Sequence, residues 1–351
     1  MPCLTTPAKV LITGVNGYLA AHVAKDLLER GNIIVGTVRS SAKGDEMAKR
    51  LHTYGSRFSY VVIQDMAQPG AFDEVLRTGD FDGVAHIAVH VSWDSTPFTG
   101  ASGSPDISTE GTLNILRGIQ AHGPGVKRVV LTSTSLAAVP SQPGSKDSEV
   151  RWDDDAVRIA QEKGSEASIM ERYKAMKVWS EKAAWKFVED NKSKINFDLV
   201  TILPGLITGT PVNDSTPLEQ LSSSNHLFEQ LRSPPADEKL GDAAQIVIHA
   251  KDAAAIHSEA FFHEEAAGRR VLAITSQPSW QDIYNALNEE PAFPGFPKGR
   301  PGVGERHDTG SEEWNLAFTM ALLGREAIGA KETIREIAAY FHKAGWRFTK
   351  E

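Results

Sequence analysis

Cysteine is almost absent from this chain. Cys3 is the single one among 351 residues, so no intrachain disulfide can form. One thiol fits a reducing compartment, and near the terminus it is expected to be a bystander. Long apolar runs are missing too: none approaches the roughly 20 residues that cross a bilayer. The opening segment Met1 to Pro7 lacks the charged and apolar regions of a secretory signal. A cytoplasmic location with no membrane partner is therefore expected. Basic excess is absent as well. The net charge of -8 and the pI near 5.8 exclude the broad positive field of a nucleic-acid binder. With 41% hydrophobic and 23% charged residues, the chain has enough apolar side chains to fold.

What is present is an alternation of short apolar runs with helical stretches. Val10–Thr13, Ile33–Val38, Tyr60–Ile63, Gly83–Ala88, Arg128–Thr132 and Asp198–Leu203 read as buried strands. Helical segments such as Gly17–Arg30 separate them. This pattern predicts βαβ units and a doubly wound parallel sheet of the α/β class. After Pro204 the pattern changes. Residues 208–240 are rich in Ser, Pro, Asn and Thr and read as irregular cover over a cleft. Val271–Ile274 is expected to return a strand to the sheet, 291–310 to be a loop, and Lys331–Ala344 a closing amphipathic helix. The expected organisation is a core at 1–207 and a smaller lobe formed mostly by 208–351.

Gly14 and Gly17 follow the first strand and open the first helix, with Ala20 where a third glycine often stands. Here a tight turn brings backbone amides to a pyrophosphate, which marks a dinucleotide site. The second strand ends in Val38-Arg39-Ser40, without the acid that binds the ribose hydroxyls of NAD. Arg39 offers a planar fork for a 2′-phosphate and Lys43 adds a point charge, so NADPH/NADP is the expected cofactor. Tyr18, Leu19, Asp65, Met66 and Ala88 are expected around it; Asp65 reads equally as a turn residue.

Tyr173 and Lys177 are four apart and fall on one helical face. Ser168 and Glu171 have the spacing of a capping box. Ile169, Tyr173, Met176, Ala184 and Phe187 are expected to form the inward face. A nearby ammonium is expected to lower the phenol pKa, making Tyr173 a proton donor near neutral pH. An oxygen that gains charge also needs a second hydrogen bond, from one of the hydroxyls in Thr132-Ser133-Thr134-Ser135.

These segments together resemble the extended short-chain dehydrogenase/reductases. Among them they are most similar to fungal NADPH-dependent aldehyde and ketone reductases of the methylglyoxal-reductase type, with plant dihydroflavonol and cinnamoyl-CoA reductases as wider relatives. The similarity rests on Leu11–Ala20, Arg39-Ser40 with Lys43, Arg128–Ser133, Tyr173 with Lys177, Ser180–Phe187, Leu203-Pro204 and Lys251-Asp252. It implies a Rossmann fold, Tyr173 as catalytic acid and Lys177 as its partner. Thr134 stands where the family places its serine, and Ser135 is the rival. Pro204 and Ile207 would border the nicotinamide. The family's Asn-Gly is replaced by Glu110-Gly111, which puts an Asn-linked proton relay in doubt. His86 and His90 have no clear third partner and the family needs no metal, so none is expected. Val91, Ser92 and Trp93 are expected to line a pocket for a small-molecule carbonyl substrate. The expected activity is NADPH-dependent carbonyl reduction. The alternatives are a nucleotide-sugar epimerase or dehydratase on the same scaffold and a non-catalytic NADP-sensing regulator.

Overall fold

The computed structural model describes residues 3–89, 107–138, 151–212, 227, 230–231, 235–242, 244, 246–306 and 314–345. The strands are β1 (Lys9–Ile12), β2 (Ile33–Val38), β3 (Phe58–Val62), β4 (Gly83–His86), β5 (Arg128–Thr132), β6 (Asp198–Pro204), β7 (Leu206–Thr208), β8 (Val247–His249) and β9 (Arg270–Ala273). The α-helices described before β6 are α1 (Tyr18–Glu29), α2 (Ser41–Arg50), α3 (Asp73–Gly79), α4 (Ile107–His122), α5 (Asp154–Lys163) and α6 (Ile169–Asp190).

Side-chain alternation builds the layers. Val10 and Ile12 of β1 face one apolar layer, which also holds α1 and the helix Ala250–Phe262; Leu11 faces the other, shared with α3, α4 and α6. The sheet between them is parallel throughout, in the order β3-β2-β1-β4-β5-β6-β9. The chain winds outward to β3 and then restarts at β4 on the other side of β1. Ligands gather at such a switch point, outside the carboxyl ends of the strands. Register places Ile12 level with Gly36 and Ala85, so the turns after β1 and β4 open side by side. The expected return strand is β9, paired with β6 and beginning one residue early, at Arg270.

At the opposite sheet edge Arg128 is fully buried. Its guanidinium donates to Asp198 Oδ1 at 2.6 Å and Oδ2 at 3.0 Å, and to the carbonyls of Ala260 and His263. This fork ties β5, β6 and the end of the Ala250–Phe262 helix together. Beyond the sheet, Leu240, Ile283, Tyr284, Leu287, Ile334, Ile337 and Phe341 form a separate apolar cluster, against which Tyr18 and Leu206 pack. The closing helix runs Ala330–Lys343. No helix among the described residues is long and apolar enough to cross a membrane.

Candidate active site

Gly14 takes φ +65°, and a Cβ there would stand 3.0 Å from Ala88 Cβ. The turn therefore needs glycine twice, for its left-handed backbone and for the close approach. Its frame is made by threonines. Gly14 N donates to Thr37 Oγ1 at 3.0 Å, and Ile87 N and Ala88 N both donate to Thr13 Oγ1 at 3.0 Å. α1 then opens at Gly17 with no side-chain cap and no acid in its first turn, a helix start suited to an anion.

In front of it lies a cleft of about 340 Å³. Gly14, Gly17, Tyr18, Leu19, Arg39, Asp65, Met66 and Ala88 all line it. Tyr18 also donates its hydroxyl to Gly209 O at 2.5 Å, fastening α1 to the start of the C-terminal portion. Asp65 accepts from Ala67 N and Gln68 Nε2, so it is a turn residue and a cleft residue at once. Arg39 is exposed on the rim, with no carboxylate between Val38 and Ser40. Lys43 is half-buried in the first turn of α2, outside the lining. Pro204, buried at the end of β6, and Ile207, paired with Ile248, also lie outside it. An uncapped helix, a glycine cradle and a guanidinium rim together fit a phosphorylated dinucleotide.

α6 runs past the carboxyl end of β5. Its capping box is closed: Glu171 N donates to Ser168 Oγ at 3.2 Å, and Ser168 N to Glu171 Oε2 at 2.8 Å. The bond from Lys163, then those from Ser168, hold the Glu171 carboxyl down to about 2. Tyr173, one turn in, is hydrogen-bonded to Thr134. Lys177 is buried, and its ammonium donates to Thr132 O at 2.7 Å. Ser135 opens the short helical turn Ser135–Ala137, while Thr134 Oγ1 accepts from Leu136 N.

Two expectations about this helix need correction. The Tyr173 phenol is shifted upward, not downward: burial raises it, and the bond to Thr134 offsets this only partly. The lysine charge is instead felt by His86, whose pKa falls to about 3 through burial first and Lys177 second. The inward face differs in one member. Ile169 is 49% exposed, because it is the first helical residue, beside an open end. The fully buried face is Ala175, Lys177, Val178, Ser180, Glu181 and Ala184; its polar half meets Thr132 O, Thr112 Oγ1 and Ser133 Oγ, while Ala184 and Phe187, both expected inward, do pack against the apolar layer.

Both ring nitrogens of His86 are taken up by hydroxyls. Thr13 Oγ1 already accepts two amides, so its proton goes to His86 Nδ1, at 3.0 Å. That leaves Nε2–H to donate to Thr112 Oγ1 at 3.3 Å, and Thr112 continues to Ser180 Oγ at 2.9 Å. A buried chain thus joins the phosphate turn to the tyrosine helix. Among the described residues no group of three or more metal-ligating side chains gathers. His90, Val91, Ser92 and Trp93 lie outside the described residues, as does most of 208–240. Thr13, Thr37, Thr112 and Glu181 escaped the sequence reading; a Thr ending a strand before a glycine turn was the available signal for Thr13.

A doubly wound sheet with an uncapped helix at its first glycine turn, and a Tyr/Lys helix over a hydroxyl-bearing strand end, is the architecture of a dinucleotide-dependent protein. The model of the NAD dependent epimerase/dehydratase family matches residues 10–270. The chain belongs to that family. It is 30% identical over 353 residues to a putative NADPH-dependent methylglyoxal reductase of Candida albicans, covering 96% of this chain and 99% of that one. It is 34% identical over 293 residues to a ketoreductase of Aspergillus niger, covering 80% and 81%. In three dimensions it is similar to yeast methylglyoxal/isovaleraldehyde reductase complexed with NADPH, with a TM-score of 0.79 at 26% identity, covering 96% of this chain and 99% of that one.

Proposed function

We propose that the protein is an NADPH-dependent carbonyl reductase acting on an apolar or aromatic aldehyde or ketone. The observation that carries this is the contact of Tyr173 with Thr134 two residues beyond β5, beside Lys177 on Thr132 O. NADPH, when bound in this cleft, would supply the hydride for the carbonyl carbon. Tyr173 then gives its phenolic proton to the oxygen as the carbonyl π pair becomes a lone pair. Thr134 supplies the second hydrogen bond to the developing charge. The upward shift of the phenol keeps it in the protonated form that a donor needs, which suits reduction. Lys177 orders the strand end and is assigned to the cofactor's ribose. Arg39 is assigned to the 2′-phosphate, with Gly14, Gly17, Tyr18, Leu19, Asp65, Met66 and Ala88 around the rest. Lys43, Pro204 and Ile207 are kept as outer contacts, and Val91, Ser92 and Trp93 as substrate contacts.

In this reading residues 1–207 bind the cofactor and 208–351 form most of the substrate lobe. Support comes from the separate apolar cluster of the C-terminal part, although β9 belongs to the main sheet. A cytoplasmic setting is supported by the single cysteine. The competing reading is epimerase or dehydratase chemistry, named in the family description; it retains the cofactor through turnover. A panel of aldehydes and ketones assayed for NADPH loss tests the proposal. Turnover with no net cofactor consumption would favour the competitor.

A further inference from the structure

Three successive residues at the end of β5 are gripped by three successive turns of α6. Thr134 meets Tyr173, Thr132 O meets Lys177, and Ser133 Oγ donates to Glu181 Oε2 at 2.7 Å. Tyr173, Lys177 and Glu181 are spaced by four and share one face. The third grip differs from the other two. Glu181 is 1% exposed and lies in neither the cofactor cleft nor the proton path.

Its carboxylate is held by Arg270, itself buried, which donates from Nε to Oε1 at 2.6 Å and from Nη2 to Oε2 at 3.1 Å. Thr201 Oγ1 of β6 donates to Oε1 at 2.9 Å. The same guanidinium reaches the segment that follows Thr134. Its Nη2 donates to Ala137 O at 3.2 Å and Nη1 to Arg151 O at 3.1 Å, while its plane lies 4.5 Å from the Trp152 ring. The pair therefore clamps the chain before and after the candidate oxyanion hydroxyl.

A buried ion pair is weak support for stability, since an apolar pair of similar volume often serves as well. What it supplies here is directional. Ser133 must point into the protein at Glu181, and strand alternation then turns Thr134 the other way. A slip by one residue would present Ser135 to Tyr173 and leave the buried carboxylate without its Ser133 donor.

We propose that Glu181, held by Arg270, is a positioning residue that sets the register of residues 132–134 so that the Thr134 hydroxyl faces Tyr173. This rests on the reading of Tyr173 and Thr134 as the groups that act on the carbonyl oxygen. Glu181 touches no reacting atom.

The test uses the full-length protein with Glu181→Gln, Ser133→Ala and Tyr173→Phe side by side. Glu181→Gln keeps the volume but replaces one acceptor oxygen with a donor. Its kcat should fall on the order of ten- to a hundredfold, the scale of a misplaced catalytic group. NADPH affinity, read by fluorescence titration, should stay near the wild-type value, and the deuterium isotope effect on kcat should rise as chemistry becomes slower. A variant with lowered Tm but unchanged kcat and isotope effect would assign Glu181 to stability alone and overturn the proposal. If Glu181→Gln does not fold, Ser133→Ala decides. It removes one link while Arg270 and Thr201 still satisfy the carboxylate, and wild-type kcat in that folded variant would equally overturn it. Tyr173→Phe separates the two levels. Its retention of turnover removes the parent reading, and the positioning role with it. Its inactivity beside a fully active Glu181→Gln removes the positioning role alone.

Discussion

Lowering the pH from about 7.5 to about 5.5 should cost the fold about 4 kcal/mol, because three histidines are buried in the neutral form. His22, His86 and His257 are 7%, 2% and 0% exposed. Burial is the main cause in each, lowering the pKa to about 4, 3 and 4. His22 is partly compensated by its bond to Thr210 O and His257 by its bond to Ala253 O, while the Lys177 charge pushes His86 down further. In the unfolded chain each titrates near 6.5. Below that value the unfolded state takes up protons that the folded state refuses. The stability is therefore fully present above about 6.5 and is lost as the pH falls toward the folded values. Over the stated interval each histidine contributes about 1.4 kcal/mol, and unperturbed carboxylates, titrating near 4, contribute little. Urea unfolding at the two pH values gives the difference directly. Calorimetric proton uptake on unfolding near pH 5.5 should approach three protons in excess of a protein without buried histidines. Equal stability at both pH values, or negligible uptake, would refute the burial argument.

The other expectations concern the cofactor cleft and the hydroxyl register. Arg39→Ala should reduce the preference for NADPH over NADH by roughly ten- to a hundredfold in Kd; an unchanged ratio would take the 2′-phosphate away from Arg39. Gly14→Ala places a side chain at φ +65° against Ala88 and should lose about 1–2 kcal/mol of stability together with NADPH binding. Gly164→Ala, at φ +53° with nothing within 4 Å, should show a comparable loss of stability with binding intact. Thr134→Val should cost turnover by roughly a hundredfold or more, well beyond Ser133→Ala or Ser135→Ala. A larger loss at Ser135 would mean that the strand end turns a different hydroxyl to Tyr173.

The sheet was legible because its central strands are buried on both faces, so β1, β5 and β6 carry apolar runs between helices. The glycine turn was legible because Gly14 needs a conformation that few other residues adopt. The Tyr/Lys spacing and the Ser168/Glu171 cap were legible because helical geometry is local. What the chain concealed was polar and long-range. Apolar periodicity placed Ile169 on the inner face of α6, where it is exposed, and passed over Glu181, since a buried carboxylate reads as a solvent residue until Arg270, 89 positions later, is folded against it. The pKa of Tyr173 was misjudged for a related reason. Spacing brings Lys177 near, but the strand carbonyl of Thr132 claims its ammonium, and burial, which spacing does not reveal, sets the direction of the shift.

The central claim is that hydride passes to a substrate carbonyl and that Tyr173 supplies the proton. The most direct measurement is label transfer from NADPH deuterated at the nicotinamide C4, presented with a panel of aromatic and branched aliphatic aldehydes and ketones. Deuterium is expected on the carbinol carbon of at least one product, with one NADPH consumed per alcohol formed and with Tyr173→Phe binding NADPH but transferring little. A folded, NADPH-bound protein that transfers label to no carbonyl, or that turns over substrate without consuming the cofactor, would contradict it.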